Sequence, residues 1–241
     1  MDVYSFNTER YGETPINATF VIRMDKLVSL VGQGKTVLDL GCRDGAVGER
    51  LLQNQNIVYG VDASQNAVPK AIQKGIKAKV GNLEEGIDFP DDFFDVVLAG
   101  EIIEHIFEID FLLAEVRRVL KNDGYFVLST PNLASLGRRL MLLVNRNPHI
   151  EVSSKQAAGH VRYFVKHTLF ELLCSHGFKV SHFTSDVVHL SASGKLRFAK
   201  LASLIPTLGA SLIVKAQKKA QLSNTPSGSP QTASVPAIIH V

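Results

Sequence analysis

The sequence predicts a three-layer α/β/α domain in which helices cover both faces of a seven-stranded, mostly parallel sheet. From Thr36 onward, short runs rich in β-branched residues alternate with helix-period patterns. The first run, Thr36-Val37-Leu38-Asp39-Leu40, stops at Gly41, just before a helical pattern. A second run ends on an acidic residue, Tyr59-Gly60-Val61-Asp62. A chain of 241 residues that is 45% hydrophobic and 20% charged can bury one large core without disulfides or metals.

Taken in order, the pattern predicts an N-terminal helical segment over 1–34 and a main domain over 35–220. Strands are expected near 36–40, 57–61, 77–80, 94–99, 124–130, 178–184 and 211–217. Helices are expected over 45–53, 66–74 and 111–120. The last sets Leu112, Leu113, Val116, Val119 and Leu120 on one face and turns Glu115, Arg117 and Arg118 outward. Residues 132–177 are too long for a simple crossover. They are expected to carry an extra helix over 133–144 and a loop, as an insertion over about 132–167, then a regular helix over 168–176 closed by Gly177. Phe198, Leu201, Ala202 and Ile205 form a helical stripe that would pack on the sheet or on a second subunit, as in a homodimer. A membrane-surface helix or a lid over a lipophilic acceptor is the other reading. From 221 onward, Ser, Thr, Pro, Ala and Gln dominate, and a disordered tail is expected.

Composition narrows the function classes. The two cysteines, Cys42 and Cys174, suggest neither a disulfide framework nor a zinc cluster, which fits a reducing, cytoplasmic setting. Residues 1–10 have neither a basic start nor an apolar run, and no apolar stretch reaches about 18 residues, so secretion and membrane spanning are disfavoured. The net charge of +3 is spread thinly, with short clusters at Arg138-Arg139 and from Lys215 to Lys219, too little to point to nucleic acid.

In an open parallel sheet, ligands bind beyond the carboxyl ends of the strands. The first such turn reads Asp39-Leu40-Gly41-Cys42-Arg43-Asp44-Gly45, whose glycines admit close backbone approach. Asp62, ending the second strand, can accept both hydroxyls of a ribose. Glycine turns alone would suit any α/β protein; their pairing with Asp62 favours a nucleoside. The Gly-x-Gly-x-x-Gly spacing that holds a pyrophosphate is absent, and an adenosyl ligand without phosphates needs no such cradle.

Val37-Leu38-Asp39-Leu40-Gly41-Cys42, then Gly60-Val61-Asp62, Gly81-Asn82-Leu83, Phe94-Asp95-Val96-Val97, Leu120-Lys121 through Gly124, and Ser129-Thr130-Pro131-Asn132 stand in the order found in class I S-adenosylmethionine-dependent methyltransferases. The chain resembles that Rossmann-like superfamily over about residues 35–185. The resemblance implies S-adenosylmethionine as cofactor. Asp39, Gly41, Cys42, Arg43 and Gly45 would lie at its methionine end, Asp62 and Ala63 at the ribose, Asn82 and Leu83 at the adenine edge, and Gly100 beside the sulfonium. Arg43 stands where the superfamily usually has a small residue. Its side chain points to solvent or pairs with the methionyl carboxylate.

Methyl transfer from a sulfonium asks the enzyme to position the nucleophile and, for a hydroxyl, to help remove its proton. In Glu101-Ile102-Ile103-Glu104-His105, the i, i+3 and i+4 positions would share one helical face and offer two carboxylates and an imidazole as half a divalent-metal site. A solvated helix start is the plainer reading. This stretch, with Gly159-His160 and Phe164 later, looks like the ubiquinone-biosynthesis O-methyltransferases and, more loosely, the small-RNA 2′-O-methyltransferases. That likeness implies Mg²⁺ or another divalent metal on Glu101, Glu104, His105 and His160, with His160, His105 and Glu101 as catalytic candidates. A hydrogen-bonded structural histidine is the plainer reading of His160. Lys74-Gly75-Ile76 through Gly86-Ile87, and Pro131-Asn132-Leu133 through Arg139-Leu140, are similar to methionine-biosynthesis W-type proteins. Three functions follow: O-methylation of a small-molecule hydroxyl (phenolic, quinone-precursor or sugar), a non-catalytic adenosylmethionine-binding partner of a biosynthetic enzyme, or 2′-O-methylation of RNA.

Overall fold

The computed structural model describes residues 17–148, 159–189 and 197–219. The predicted tail and parts of the N-terminal segment and of the insertion lie outside them. Seven strands, β1 (Thr36–Leu40), β2 (Ile57–Asp62), β3 (Lys77–Val80), β4 (Phe94–Gly100), β5 (Leu120–Pro131), β6 (Phe178–Thr184) and β7 (Ser211–Lys218), form one sheet in the order β3-β2-β1-β4-β5-β7-β6. All neighbours from β3 to β5 run parallel, whereas β7 inserts antiparallel between β5 and β6. The order reverses at β1 and β4, so a crevice opens beyond their carboxyl ends.

Side chains alternate across the pleat and build a core on each face. Leu38, Leu40, Phe94, Val97, Ala99, Phe126 and Leu128 face one side. There they meet α4 (Ile109–Val119) and α6 (Lys166–Ser175) through Leu112, Leu113, Val116, Leu169 and Leu173. Val37, Val96, Leu98 and Val127 face the other, under Leu27 and Val31 of α1 (Ala18–Val31), Leu51 of α2 (Ala46–Gln53) and Ala71 of α3 (Val68–Gln73). The Asn17 side chain caps α1 by accepting from Phe20 N at 2.9 Å.

The differences from expectation have local causes. Leu120, expected to end a helix, is already extended and pairs with Phe94 across a register shift, so β5 begins where α4 stops. Helix α3 starts only at Val68, after a turn in which the Ser64 hydroxyl and carbonyl both accept from Ala67 N at 3.2 Å. Helix α5 (Leu136–Leu143) starts late because the Asn132 side chain accepts from Ala134 N at 3.0 Å and holds a turn there. Between Val188–His189 and Arg197–Phe198 runs a two-residue antiparallel ladder that the sequence did not signal, followed by α7 (Ala199–Leu204). Of the predicted stripe there, only Ala202 is buried; Phe198 and Ile205 are exposed. Among the described residues, no helix is long and apolar enough to cross a membrane.

Candidate active site

The turn after β1 is left-handed three times over, at Gly41, Arg43 and Gly45. A Cβ on Gly41 would overlap the Ile102 side chain, so glycine lets the β1 and β4 turns come together. At Gly45 an added Cβ would meet Ile76 and lie 3.0 Å from the Ala71 backbone. That residue seats α2 against α3 and, alone among the predicted cofactor residues, does not line the cavity.

Asp62 holds the same turn from the next strand. Its Oδ2 accepts from Arg43 N and its Oδ1 from Ser64 N, each at 2.8 Å. Burial raises its pKa, against the pull of those two amide donors. Asp39, 4% exposed, is pushed up to about 8 by burial and then by the charge of Asp62. Burial first, then the Asp39 and Asp62 carboxylates, also raises the Cys42 thiol, which stays protonated and unreactive at neutral pH.

These ends enclose a cavity of about 350 Å³. Asp39, Gly41, Cys42, Arg43, Asp62, Ala63, Asn82, Leu83 and Gly100 all line it. Asn82 is partly committed locally: its Oδ1 accepts from Glu84 N at 3.1 Å and its Nδ2 donates to Glu85 at 2.9 Å. Sequence reasoning missed the wall supplied by α1, where Phe20, Arg23, Met24 and Leu27 face the cavity. Their i, i+3, i+4, i+7 spacing signals a one-sided helix, but nothing in it says which side lies over a ligand.

The segment after β4 departs from its expected form. Glu101 stands in the left-handed region at φ 59°, its N–H bonded to Ser129 O at 2.9 Å, and only Ile103–His105 form a turn of 3₁₀ helix. The expected shared helical face of Glu101, Glu104 and His105 is therefore absent, because the backbone reverses before a helix can form. Glu101 turns to Arg23, 3.6 Å away, which also lies 3.7 Å from buried Asp186. Glu104, 1% exposed, accepts from Thr130 Oγ1 at 3.0 Å through Oε2, while its buried Oε1 has no hydrogen-bond partner. Burial, then the charge of Glu101, raises the Glu104 pKa well above the usual carboxylate value.

His160 reaches this corner because the chain after it is tied down. Val161 N and Arg162 N donate to Glu104 O at 2.9 and 3.2 Å, and Arg162 Nε donates to Ile106 O at 3.1 Å. His105 Nδ1 lies 3.2 Å from Gly159 O, and the two imidazole centroids are 4.8 Å apart. Burial, then His160, pushes the His105 pKa down to about 4, so this ring is neutral at pH 7. One ligand atom each from Glu104, His105 and His160 fall within 4.8 Å of one another. Glu101, expected as a fourth, is not in this group, although it lines the same cavity. A buried carboxylate oxygen without a donor beside two imidazoles is a donor set that suits a divalent cation.

A family model described as a methyltransferase domain matches residues 22–182. A Mycolicibacterium smegmatis protein, described as a probable S-adenosylmethionine-dependent methyltransferase, is 30% identical over 85% of this chain and 72% of its own length. A ubiquinone biosynthesis O-methyltransferase of Bradyrhizobium diazoefficiens is 36% identical over 41% of this chain and 41% of its own length, so the match spans about two fifths of that relative. Among solved structures, a S-adenosylmethionine-dependent methyltransferase of Thermotoga maritima shares the fold with a TM-score of 0.62 at 19% identity, over 90% of this chain and 91% of that one.

Proposed function

The chain belongs to the class I S-adenosylmethionine-dependent methyltransferases, and on that premise we propose that it methylates a hydroxyl oxygen of a small molecule. The observation that carries the oxygen is the meeting of Glu104, His105 and His160 on the cavity wall after β4. A sulfonium is already an activated leaving group, so a base and donor cluster is needed chiefly where the nucleophile must lose a proton. The likeness to a ubiquinone biosynthesis O-methyltransferase supports the same reading.

A carboxylate offers about four lone-pair sites. On Asp62 the amides of Arg43 and Ser64 take two, which leaves two for the hydroxyls of a ribose. Asp39, Gly41, Cys42 and Arg43 would then border the methionyl end, Asp62 and Ala63 the ribose, Asn82 and Leu83 the adenine, and Gly100 the sulfonium. Gly45 acts from behind, by seating α2. Arg43 gives the turn its backbone N–H in a left-handed conformation, so the residue that departs from the superfamily pattern still supports Asp62.

In the transfer, an oxygen lone pair of the acceptor forms the new bond to the methyl carbon as the C–S bond breaks. Its electron pair stays on sulfur, and the acceptor's proton passes to a base. With no metal bound, neutral His105 and neighbouring His160 are the candidate bases, and Glu101, held by Arg23, borders the reacting space. Glu104, His105 and His160 would hold Mg²⁺ or another divalent ion, which would supply Lewis-acid lowering of the acceptor hydroxyl's pKa.

The test is a panel of phenols, catechols, sugars and short RNA incubated with methyl-labelled S-adenosylmethionine. Label on an oxygen of a small acceptor is the expected result. Label only on nitrogen, carbon or RNA would overturn the oxygen or small-molecule assignment. No turnover, together with stoichiometric co-purification and activation of another enzyme, would return the chain to a partner role.

A further inference from the structure

Helix α5 buries none of its residues, yet it reads Leu-Gly-Arg-Arg-Leu-Met-Leu-Leu. Leu142, Leu143 and the following Val144 are 58%, 81% and 66% exposed. Helix α7 presents Leu204, 80% exposed, with Phe198 and Ile205 also open to solvent. Both helices pack against the short strand Val188–His189, so they stand beside one ladder. Large apolar side chains exposed on two such helices among the described residues mark an interaction face.

The position of this face is set by topology. Helix α5 follows the carboxyl end of β5, which runs parallel to β4, and α7 leads through a short turn into Ser211, which pairs with Pro131 at that same end. Both therefore stand beyond the carboxyl end of the sheet, the end at which the cavity opens. The two described segments that carry these helices have charge of one sign. Residues 132–148 and 197–211 contain no Asp or Glu, while Arg139, Arg146, Arg197 and Lys200 are exposed among the apolar residues. Leucines ringed by arginine and lysine match the acyl chains and anionic headgroups of a membrane surface, where apolar insertion and charge attraction act together.

We infer that α5 and α7 form a docking face for anionic lipid bilayers, which brings the cavity mouth to the membrane surface. The face binds lipid by partial insertion of Leu142, Leu143, Val144 and Leu204, and by attraction of the basic side chains to headgroups. It spans nothing and leaves the cofactor cavity intact.

The test is co-sedimentation of the full chain with vesicles of phosphatidylcholine alone and of phosphatidylcholine mixed with phosphatidylglycerol. Binding is expected to the mixed vesicles and to weaken as salt rises. Leu142→Glu with Leu143→Glu should lower the partition coefficient by at least about tenfold, given the apolar area withdrawn. S-adenosylhomocysteine affinity should stay unchanged, which shows that the variant is folded. Arg139→Glu with Arg146→Glu should remove the preference for phosphatidylglycerol. Failure of the wild type to bind the mixed vesicles, or leucine variants that bind as wild type does, would overturn the inference. So would a wild-type dimer that the leucine substitutions dissociate, because the face would then belong to a second copy. None of these readouts needs the methyl acceptor, so their outcome is separate from that of the oxygen assignment.

Discussion

Replacing Asp62 with Ala removes both the acceptor of two backbone amides and the proposed ribose ligand, and the two losses can be measured apart. Each amide donates at 2.8 Å to a carboxylate oxygen, a bond to a charged group that contributes about 1.5–3 kcal/mol. Two such bonds bound the gross cost at about 3–6 kcal/mol. Part is returned, because the variant no longer buries a carboxylate whose pKa burial raises, and a net loss of about 2–3 kcal/mol is expected. For a domain of this size that lowers Tm by roughly 4–12 °C, readable by differential scanning calorimetry. Cofactor affinity should fall by a further 1–3 kcal/mol, or about 5- to 150-fold in Kd for S-adenosylhomocysteine by isothermal titration at a temperature where the variant is folded. Asp62→Asn keeps one acceptor oxygen but turns an amide donor toward a backbone N–H, so its loss of stability should fall between wild type and Ala. An Ala variant with wild-type Tm would refute the turn argument; one with lowered Tm and unchanged Kd would refute the ribose assignment alone.

Three further outcomes are expected. Gly41→Ala puts a Cβ into the Ile102 side chain in a left-handed backbone and should cost about 1–3 kcal/mol in urea unfolding; an unchanged midpoint would contradict the close approach of the two turns. Burial, then His160, holds the His105 imidazole down to about 4 in the folded protein, below its ordinary value of about 6.5. An unfolded chain therefore binds this proton first as pH falls, and the contribution, whole above about 6.5, is lost toward pH 4 at up to about 1.4 kcal/mol per pH unit. Its signature is a steeper fall in stability for wild type than for His105→Gln over that window, and parallel profiles would count against it. Chelation should suppress turnover and a divalent ion restore it, with S-adenosylhomocysteine affinity kept; Glu104→Gln should weaken the metal response most, since Glu104 carries the unpartnered oxygen. Turnover indifferent to chelators would leave the imidazoles to act as bases without metal.

The strands of the sheet and the ligand-facing turn were legible in the sequence because each depends on short-range patterns. Val37, Leu38 and Leu40 alternate between the two cores as the pleat requires, and Gly41, Asp62 and the order of their motifs mark a strand-end site without reference to distant residues. Local competition for hydrogen bonds was less legible: Ser64 and Asn132 each delay a helix that periodicity starts too early. What only the tertiary structure decided is which side chains meet. The reversal at Glu101 sends that carboxylate to Arg23, and the neighbours Glu104 and His105 meet the sequence-distant His160 because Val161 and Arg162 bond to the Glu104 carbonyl. The same holds for α1, whose spacing marks an apolar face while only packing over β4, β5 and β7 makes Phe20, Arg23 and Met24 a wall of the cavity. Periodicity records which face of an element leaves water; the partner that receives it is set by chain closure across the whole core, which no local window contains.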